Sequence, residues 1–431
     1  MNTVIRAAEK WTIARRIRSL FAVYFIFLIL DFTSGDELFP HFFYVAMRPY
    51  NDFWNWIVPW TGAHILHLSY PITVTPNGSG DTTYNYVLQL LWIIFSLLIA
   101  IVWLLADRKR LSYYKLNYWS RIVIRYYLAY MLFVYGFVKL IKLQFPFPDL
   151  IRLTEAYGHS TPMGLAWTFL GYSSGYNMFT GGAEVLAGAL LLFKRTSLLG
   201  SVLAIAVMSN VVVMNLFYDI PVKIFSMNLL FMAVWIAWYD KDRLLGIFIL
   251  HQAIPEKIEK KMFNSKWKKI CQLSLKTAFI FFALRATLWA NMATAKRYGD
   301  ARAKTPLYGI YDVQSFLRNK LSVLPLSTDS TRWKRLIIKN RSNIRITNMT
   351  DSSEWMKLHV DTILKTVDII SAEDSTGINH MHYKMLKGDF LQLEGNIQKD
   401  SIKIILKKYD LGQFPLLNTG FHWINEYPNN K

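Results

Sequence analysis

The chain is poor in cysteine and poor in charge. One cysteine among 431 residues, Cys271, excludes an intramolecular disulfide and a thiolate-bound metal cluster. It stands at the start of an apolar run, where a buried, inert thiol is expected. Charged side chains make up 18% of the chain, against about 25% in an ordinary soluble domain. Apolar residues reach 53% and aromatic residues 16%. This balance predicts an integral membrane protein with some soluble mass. No Walker loop, G-x-G-x-x-G, G-x-S-x-G or zincin motif occurs, so the common nucleotide, acyl-transfer and zinc-protease signatures give no lead.

The net charge of +20 would suggest nucleic acid if it were gathered on a soluble face. Residues 301–431 hold 19 basic and 13 acidic side chains, so most of the excess lies elsewhere. No nucleic-acid partner is expected, and membrane topology accounts for the excess better.

What the chain does have is apolar runs. Seven spans are predicted: Leu20–Leu30 with extensions, Val87–Ala106, 122–143, 176–193, Leu198–Phe217, Val222–Trp238 and 271–292. No small-residue cleavage site follows the first run, which is expected to act as an uncleaved anchor. Residues 1–18, 107–121, 194–195 and 240–270 together hold twenty Lys or Arg. The intervening 31–86 and 144–175 hold only Arg48 and Arg152. The positive-inside rule therefore puts the N-terminus on the cytoplasmic side and the C-terminal domain on the opposite side; the setting expected is a bacterial inner membrane, with that domain in the periplasm.

Segment 31–86 contains "FFYVAMRPYNDFWNWIVPW", suited to the outer membrane interface. "IFILHQAIPEKIEKKMFNSKWKK" reads as a basic amphipathic stretch on the inner lipid face. From residue 305 the period changes to two. "RLIIKN", "NIRITNM", "WMKLHVD", "TVDIISA", "FLQLEGNI" and "IKIILKKYD" alternate between turn signals. The fold expected is a polytopic α-helical membrane protein of about seven spans with a small antiparallel β domain, sheet or barrel, at the C-terminus. Four segments follow: 1–118 with the aromatic loop, a helical core 119–245, an amphipathic segment and last span 246–304, and the β domain 305–431.

Ionisable groups inside spans are the leading site candidates, because lipid tolerates them only when paired or functional. Glu184 lies ten residues before Lys194, hence ~15 Å deep at the helical rise and near the midplane. Lys139 and Lys142 occur in "YGFVKLIKL", with Tyr135 one turn before Lys139. At i and i+3 the two lysines are expected on one face, although lysines near a helix end also snorkel to phosphate. Arg285, in the last span, lies at a depth that allows contact with Glu184. Lys139 or Arg285 is the expected counter-ion, and an inter-helix clamp is the bland alternative. Gly181, Ala183, Ala187 and Gly188 allow close helix packing around the carboxylate.

Asn215 and Asp219 in "NLFYDIPVKIFSMN" stack if the helix continues, and Asp219 and Lys223 can form a local ion pair. These groups predict an outward-opening polar pocket between spans three to six, with Glu184 as its floor. Metal binding is not expected. His64 and His67 in "HILH" lack carboxylate or cysteine companions at useful spacing, and His380 and His382 in "HMH" share one face of a strand, where a solvent-facing polar edge is expected over a weak Zn or Cu site.

About 120 residues resemble the DoxX-like family of membrane proteins. The likeness rests on "YGFVKLIKL", "FTGGAEVLAGALLLFKRTSLLGSVLA", "NLFYDIPVKIFSMNLL" and "YDKDRL". The family is a four-helix membrane unit whose namesake is similar to a subunit of a thiosulfate:quinone oxidoreductase. Lys139, Glu184, Asp219 and Lys223 match its polar positions. The hairpin and the preceding lysine are also distantly similar to the membrane part of vitamin K-dependent carboxylases. "GFHWINEYPNN" resembles an ending of long DoxX-like proteins.

The resemblance implies a redox accessory that binds quinone or a small sulfur oxyanion, with Glu184 moving a proton and Lys139 holding the anion. Tyr135, Lys142, Asn215, Asp219, Lys223 and Arg285 are the remaining ligand-binding candidates. Two other classes stay open. One is a non-catalytic envelope protein whose β domain captures an envelope or respiratory partner. The other is an enzyme or carrier for a lipid-like substrate.

Overall fold

A computed structural model describes residues 11–35, 41–75, 80–253, 265–300, 302–340, 343–371, 378–397 and 399–427. The proposed amphipathic stretch falls partly outside them, at residues 254–264. Two compact units are present. One takes in Met1–Pro146 and Pro162–Asp300, and the other Phe147–Thr161 and Ala301–Lys431.

The first unit is helical. Its helices are α1 Ile13–Phe21, α2 Val23–Gly35, α3 His41–His64, α4 Thr83–Ala106 and α5 Tyr114–Leu140. After α6, Leu150–Thr154, which belongs to the other unit, come α7 Pro162–Tyr172, α8 Ser174–Leu192, α9 Ser197–Phe217 and α10 Lys223–Trp238. Then follow α11 Lys241–Phe248, α12 Lys266–Leu284, a π-helical turn Arg285–Trp289 and α13 Ala290–Tyr298.

Seven spans were predicted, and fewer helices than that qualify as spans by length and composition. Among the described residues four helices are long and apolar enough to cross a membrane: α4, α5, α9 and the continuous rod Lys266–Tyr298. Helix α10 is apolar but has 16 residues, and α2 has 13 because the chain breaks from α1 at Ala22. Helix α8 has 19 residues, but Ser, Asn, Thr, Gly and Glu dilute its apolar face.

The core is aromatic and aliphatic. Tyr24, Phe25, Trp54, Leu88, Trp92, Leu128 and Met232 are all buried in one cluster. The aromatic segment forms α3 despite internal Pro49 and Pro59, and Trp54 meets Phe27 and Trp92 edge to face. Buried polar atoms answer one another: Tyr24 donates to Asn228, and Gln89 donates to the Tyr24 hydroxyl. Cys271 is exposed, contrary to the expected buried thiol. The rod that carries it is little covered by the described residues of the protein, and the thiol shares that exposure.

The second unit is a closed antiparallel barrel. Its strands are β1 Gly309–Arg318, β2 Leu321–Ser322, β3 Trp333–Asn340, β4 Asn343–Asn348, β5 Ser353–Asp361, β6 Thr366–Ser371, β7 Ile378–Leu386, β8 Phe390–Ile397 and β9 Asp400–Lys408. Neighbours in sequence are neighbours in space, and β1 also pairs with β9, which closes eight strands; β2 is a short addition to β1. Closure removes the free edges that would template association. Alternation sends Leu336, Ile338, Ile344, Ile346, Leu391, Leu393, Ile404 and Leu406 inward.

On the outer face, Ile310 and Ile337 bury against Leu150 of α6 and partly buried Phe414. Helix α6 is capped by its own Asp149, whose carboxylate accepts from the Ile151 and Arg152 amides and pairs with Lys339. Burial pushes the Asp149 carboxyl up, but Lys339 and the two amides outweigh it and hold the group below the usual carboxylate range. A depressed carboxyl adds stability above its unfolded value and loses it as pH falls through the folded value. Asp149→Asn is therefore expected to loosen α6 at neutral pH and to make little difference under acid. Hydrogen exchange of residues 147–161 at both pH values checks this; equal effects would contradict it.

Candidate functional site

The buried charge sits where α5 and α8 cross. In α8 the buried face runs through Asn177, Gly181, Glu184 and Gly188, spaced by four, three and four residues. Only small residues let the backbones meet there. A Cβ on Gly181 would lie 2.6 Å from the Gly136 carbonyl oxygen, and one on Gly136 would lie 2.9 Å from that of Gly181. This contact is one turn from Lys139 on α5 and one turn from Glu184 on α8, so it sets their separation. Lys139 Nζ donates to Glu184 Oε1. The residues are 6% and 2% exposed, which makes the pair internal. Glu184 Oε2 is buried and has no hydrogen-bond partner among the described residues.

Two cavities reach this pair. A small one of about 60 Å³ lies among α5, α8, α9 and α10, with Tyr135, Gln144, Asn215 and Ser226 as its other polar lining. A larger groove of about 840 Å³ runs between α7, α8 and α9. Phe169, Phe179, Val207, Val211 and Met214 make its walls largely apolar, with Asn210 and Thr180 along it. Lys139 and Glu184 line both.

Two supports around the site escape sequence reading. Asn177, fully buried, donates from Nδ2 to the carbonyls of Phe145 (3.1 Å) and Leu170 (3.0 Å), tying the end of the α5 connection and α7 to α8. Its signal was there to be read: it stands seven residues before Glu184, on the same helical face. The second is Asp81. Val222 offers no cap to α10, so Asp81 accepts from the Lys223 and Ile224 amides at 2.7 and 3.0 Å. Nothing local in the sequence pairs positions about 140 apart. Removing this cap in Asp81→Ala is expected to cost about 1–2 kcal/mol. Thermal unfolding in detergent measures it, and an unchanged midpoint would contradict the capping role.

Of the predicted site residues, Tyr135, Lys139, Glu184 and Asn215 come together around the small cavity. Asn215 donates to Ser226 Oγ at 2.9 Å and so closes the α9–α10 hairpin. The others lie apart from it. Helix α5 ends at Leu140, so Lys142 leaves the face of Lys139; it sits in a left-handed turn (φ 60°) and pairs with Asp300 at 3.0 Å. Helix α9 ends at Phe217, so Asp219 does not stack on Asn215; it also takes a left-handed backbone (φ 51°) and its side chain is 85% exposed. It does pair with Lys223, at 2.9 Å. Arg285 is exposed on the π-helical turn and lines neither cavity; the counter-ion of Glu184 is Lys139. His64 closes α3, and His67 lies beyond it at φ 49°, so the two do not share a helical face. His380 meets Asp368 at 2.6 Å on the exposed side of the barrel.

No family model matches the chain, and no solved structure matches it. Among curated proteins, Uncharacterized protein YwoB of Bacillus subtilis (strain 168) is 38% identical over 126 residues. That stretch is 29% of this chain and 79% of the relative. At this identity, and with most of the relative covered, the chain belongs to the same family as YwoB.

Proposed function

We propose that the helical unit holds a lipid-soluble molecule of the quinone class. The polar head meets the Lys139–Glu184 pair and the apolar tail follows the groove between α8 and α9. The observation that carries this is the groove itself: about 840 Å³, mostly apolar, and ending on a buried ion pair. Ligand pockets of roughly 300–1,000 Å³ with few convergent polar groups suit molecules of this size. Lys139 is a donor for a quinone carbonyl, and Glu184 Oε2 is an acceptor for the hydroxyl of the reduced form. The DoxX-like motifs point the same way. A small sulfur oxyanion fits less well, since it would meet the Glu184 carboxylate at close range.

The charge pattern favours a bacterial inner membrane with the N-terminus inside. Residues 147–161, which this pattern puts outside, pack within the barrel unit, and that supports a periplasmic barrel. Mass spectrometry of small molecules retained by protein purified in mild detergent tests the proposal. Near-stoichiometric quinone is expected in the wild type, falling at least tenfold in Glu184→Gln. A wild type that retains none, and takes up none from added decylubiquinone, would overturn it.

A further inference from the structure

We propose that the open mouth of the C-terminal barrel is a second binding site, for a small uncharged amphipathic molecule. This inference concerns the barrel unit alone and does not rest on the quinone reading. An eight-stranded barrel is just wide enough for side chains to fill it, or for one small ligand when they do not. Here the filling is partial. Leu358, Leu393, Ile404 and Leu406 are 0–4% exposed and close the interior. At one end a cavity of about 540 Å³ remains, and each of the eight barrel strands contributes to its lining. Because neighbours are antiparallel, the late residues of β1, β4, β6 and β8 and the early residues of β3, β5, β7 and β9 meet at this rim.

The chemistry of the mouth is layered. Trp333, Ile346, Ile369 and Ile402 form an apolar and aromatic wall. Above it stand Arg318, Glu354 and Asp400. Arg318 Nε is buried and makes no hydrogen bond among the described residues, and it lies 3.7 Å from Asp400 Oδ2. A donor without an acceptor is costly to bury, so a ligand acceptor placed there replaces lost solvation. Among the described residues, one cation beside two carboxylates discriminates against free charge: an anion meets Glu354 and Asp400, and a cation meets Arg318. An uncharged group that both accepts and donates, such as a primary amide or an alcohol, satisfies both. A short alkyl or aryl body fits the wall beneath.

The test uses the full chain in detergent-free lipid nanodiscs, with a diazirine-bearing decanamide as photoprobe. Labelling is mapped by peptide mass spectrometry. Saturable labelling of peptides containing Trp333, Met356 or Ile402 is expected. Excess decanamide should compete at least tenfold better than decanoate or decylamine. Ile369→Trp and, separately, Met356→Trp should each reduce labelling at least tenfold while circular dichroism keeps the strand signal. Labelling of the barrel that does not saturate, or is competed equally by all three compounds, would overturn the proposal without reference to any variant. Labelling confined to the helices would overturn it as well.

Discussion

Replacing Lys139 by methionine is expected to destabilise the helical unit by about 3–5 kcal/mol, the range seen when one partner of a buried ion pair is removed. The reason is what remains. Glu184 is 2% exposed, its Oε1 accepts from Lys139, and its Oε2 has no other partner among the described residues. A carboxylate left in that position is almost wholly shielded by protein, and among the described residues no cation other than Lys139 lines either cavity beside Glu184. The double variant Lys139→Met/Glu184→Leu should recover most of the loss, because packed apolar side chains often replace a buried pair at no net cost. Thermal unfolding of the two single variants and the double in detergent gives the coupling between the sites. Independent, additive losses would show that the pair is not the internal clamp described here.

The second large effect concerns the crossing of α5 and α8. Gly181→Leu is expected to cost about 3 kcal/mol, at the upper end of overpacking. A side chain there meets the Gly136 carbonyl, the Leu140 amide nitrogen at 2.9 Å and the Lys139 Cβ at 2.8 Å, so two backbones must separate. Separation pulls Lys139 from Glu184, and ligand retention should fall with it. Gly182→Leu is the control. Its added Cβ has nothing within 4 Å, and an effect within about 0.5 kcal/mol is expected for such a surface change. Both variants add the same apolar side chain to the same helix at adjacent positions. A comparable loss in the two would contradict the crossing as its cause, and helix propensity would not explain it either, since leucine favours a helix more than glycine does.

The parts of this site that were legible were those set by helical spacing. Gly181, Glu184 and Gly188 read directly as one small and polar face, and the lysine one turn after Tyr135 follows from the same period; Asn177 lies on that face too, but its role as a support was missed. What spacing cannot give is where a helix stops. Lys142 and Asp219 were placed on faces that do not exist, because α5 and α9 end before them and the chain turns left-handed. Depth alone also misled for Arg285, since two residues at similar depth can face different neighbours.

The β domain was legible in its alternation, and β3, β4, β5, β6, β8 and β9 correspond to quoted runs. Strand β1 was not, because "GIYDVQSFLR" carries a bulge between Val313 and Ser315 that breaks the period. Closure could not be read either: it is a long-range pairing of β1 with β9, with Phe316 opposite Ile404, and no local pattern encodes it. The capping of α10 by Asp81 is of the same kind.

We propose that a lipid-soluble head group lies against Lys139 and Glu184 with its tail between α8 and α9. The most direct measurement is photolabelling with an azidoquinone in native membranes, followed by peptide mapping. Saturable label is expected on α8 and α9, at groove positions such as Phe179, Val207 or Met214, displaced by unlabelled quinone and lost in Glu184→Gln. Label spread evenly over the lipid-facing helices, or label on α8 and α9 that Glu184→Gln leaves unchanged, would contradict it.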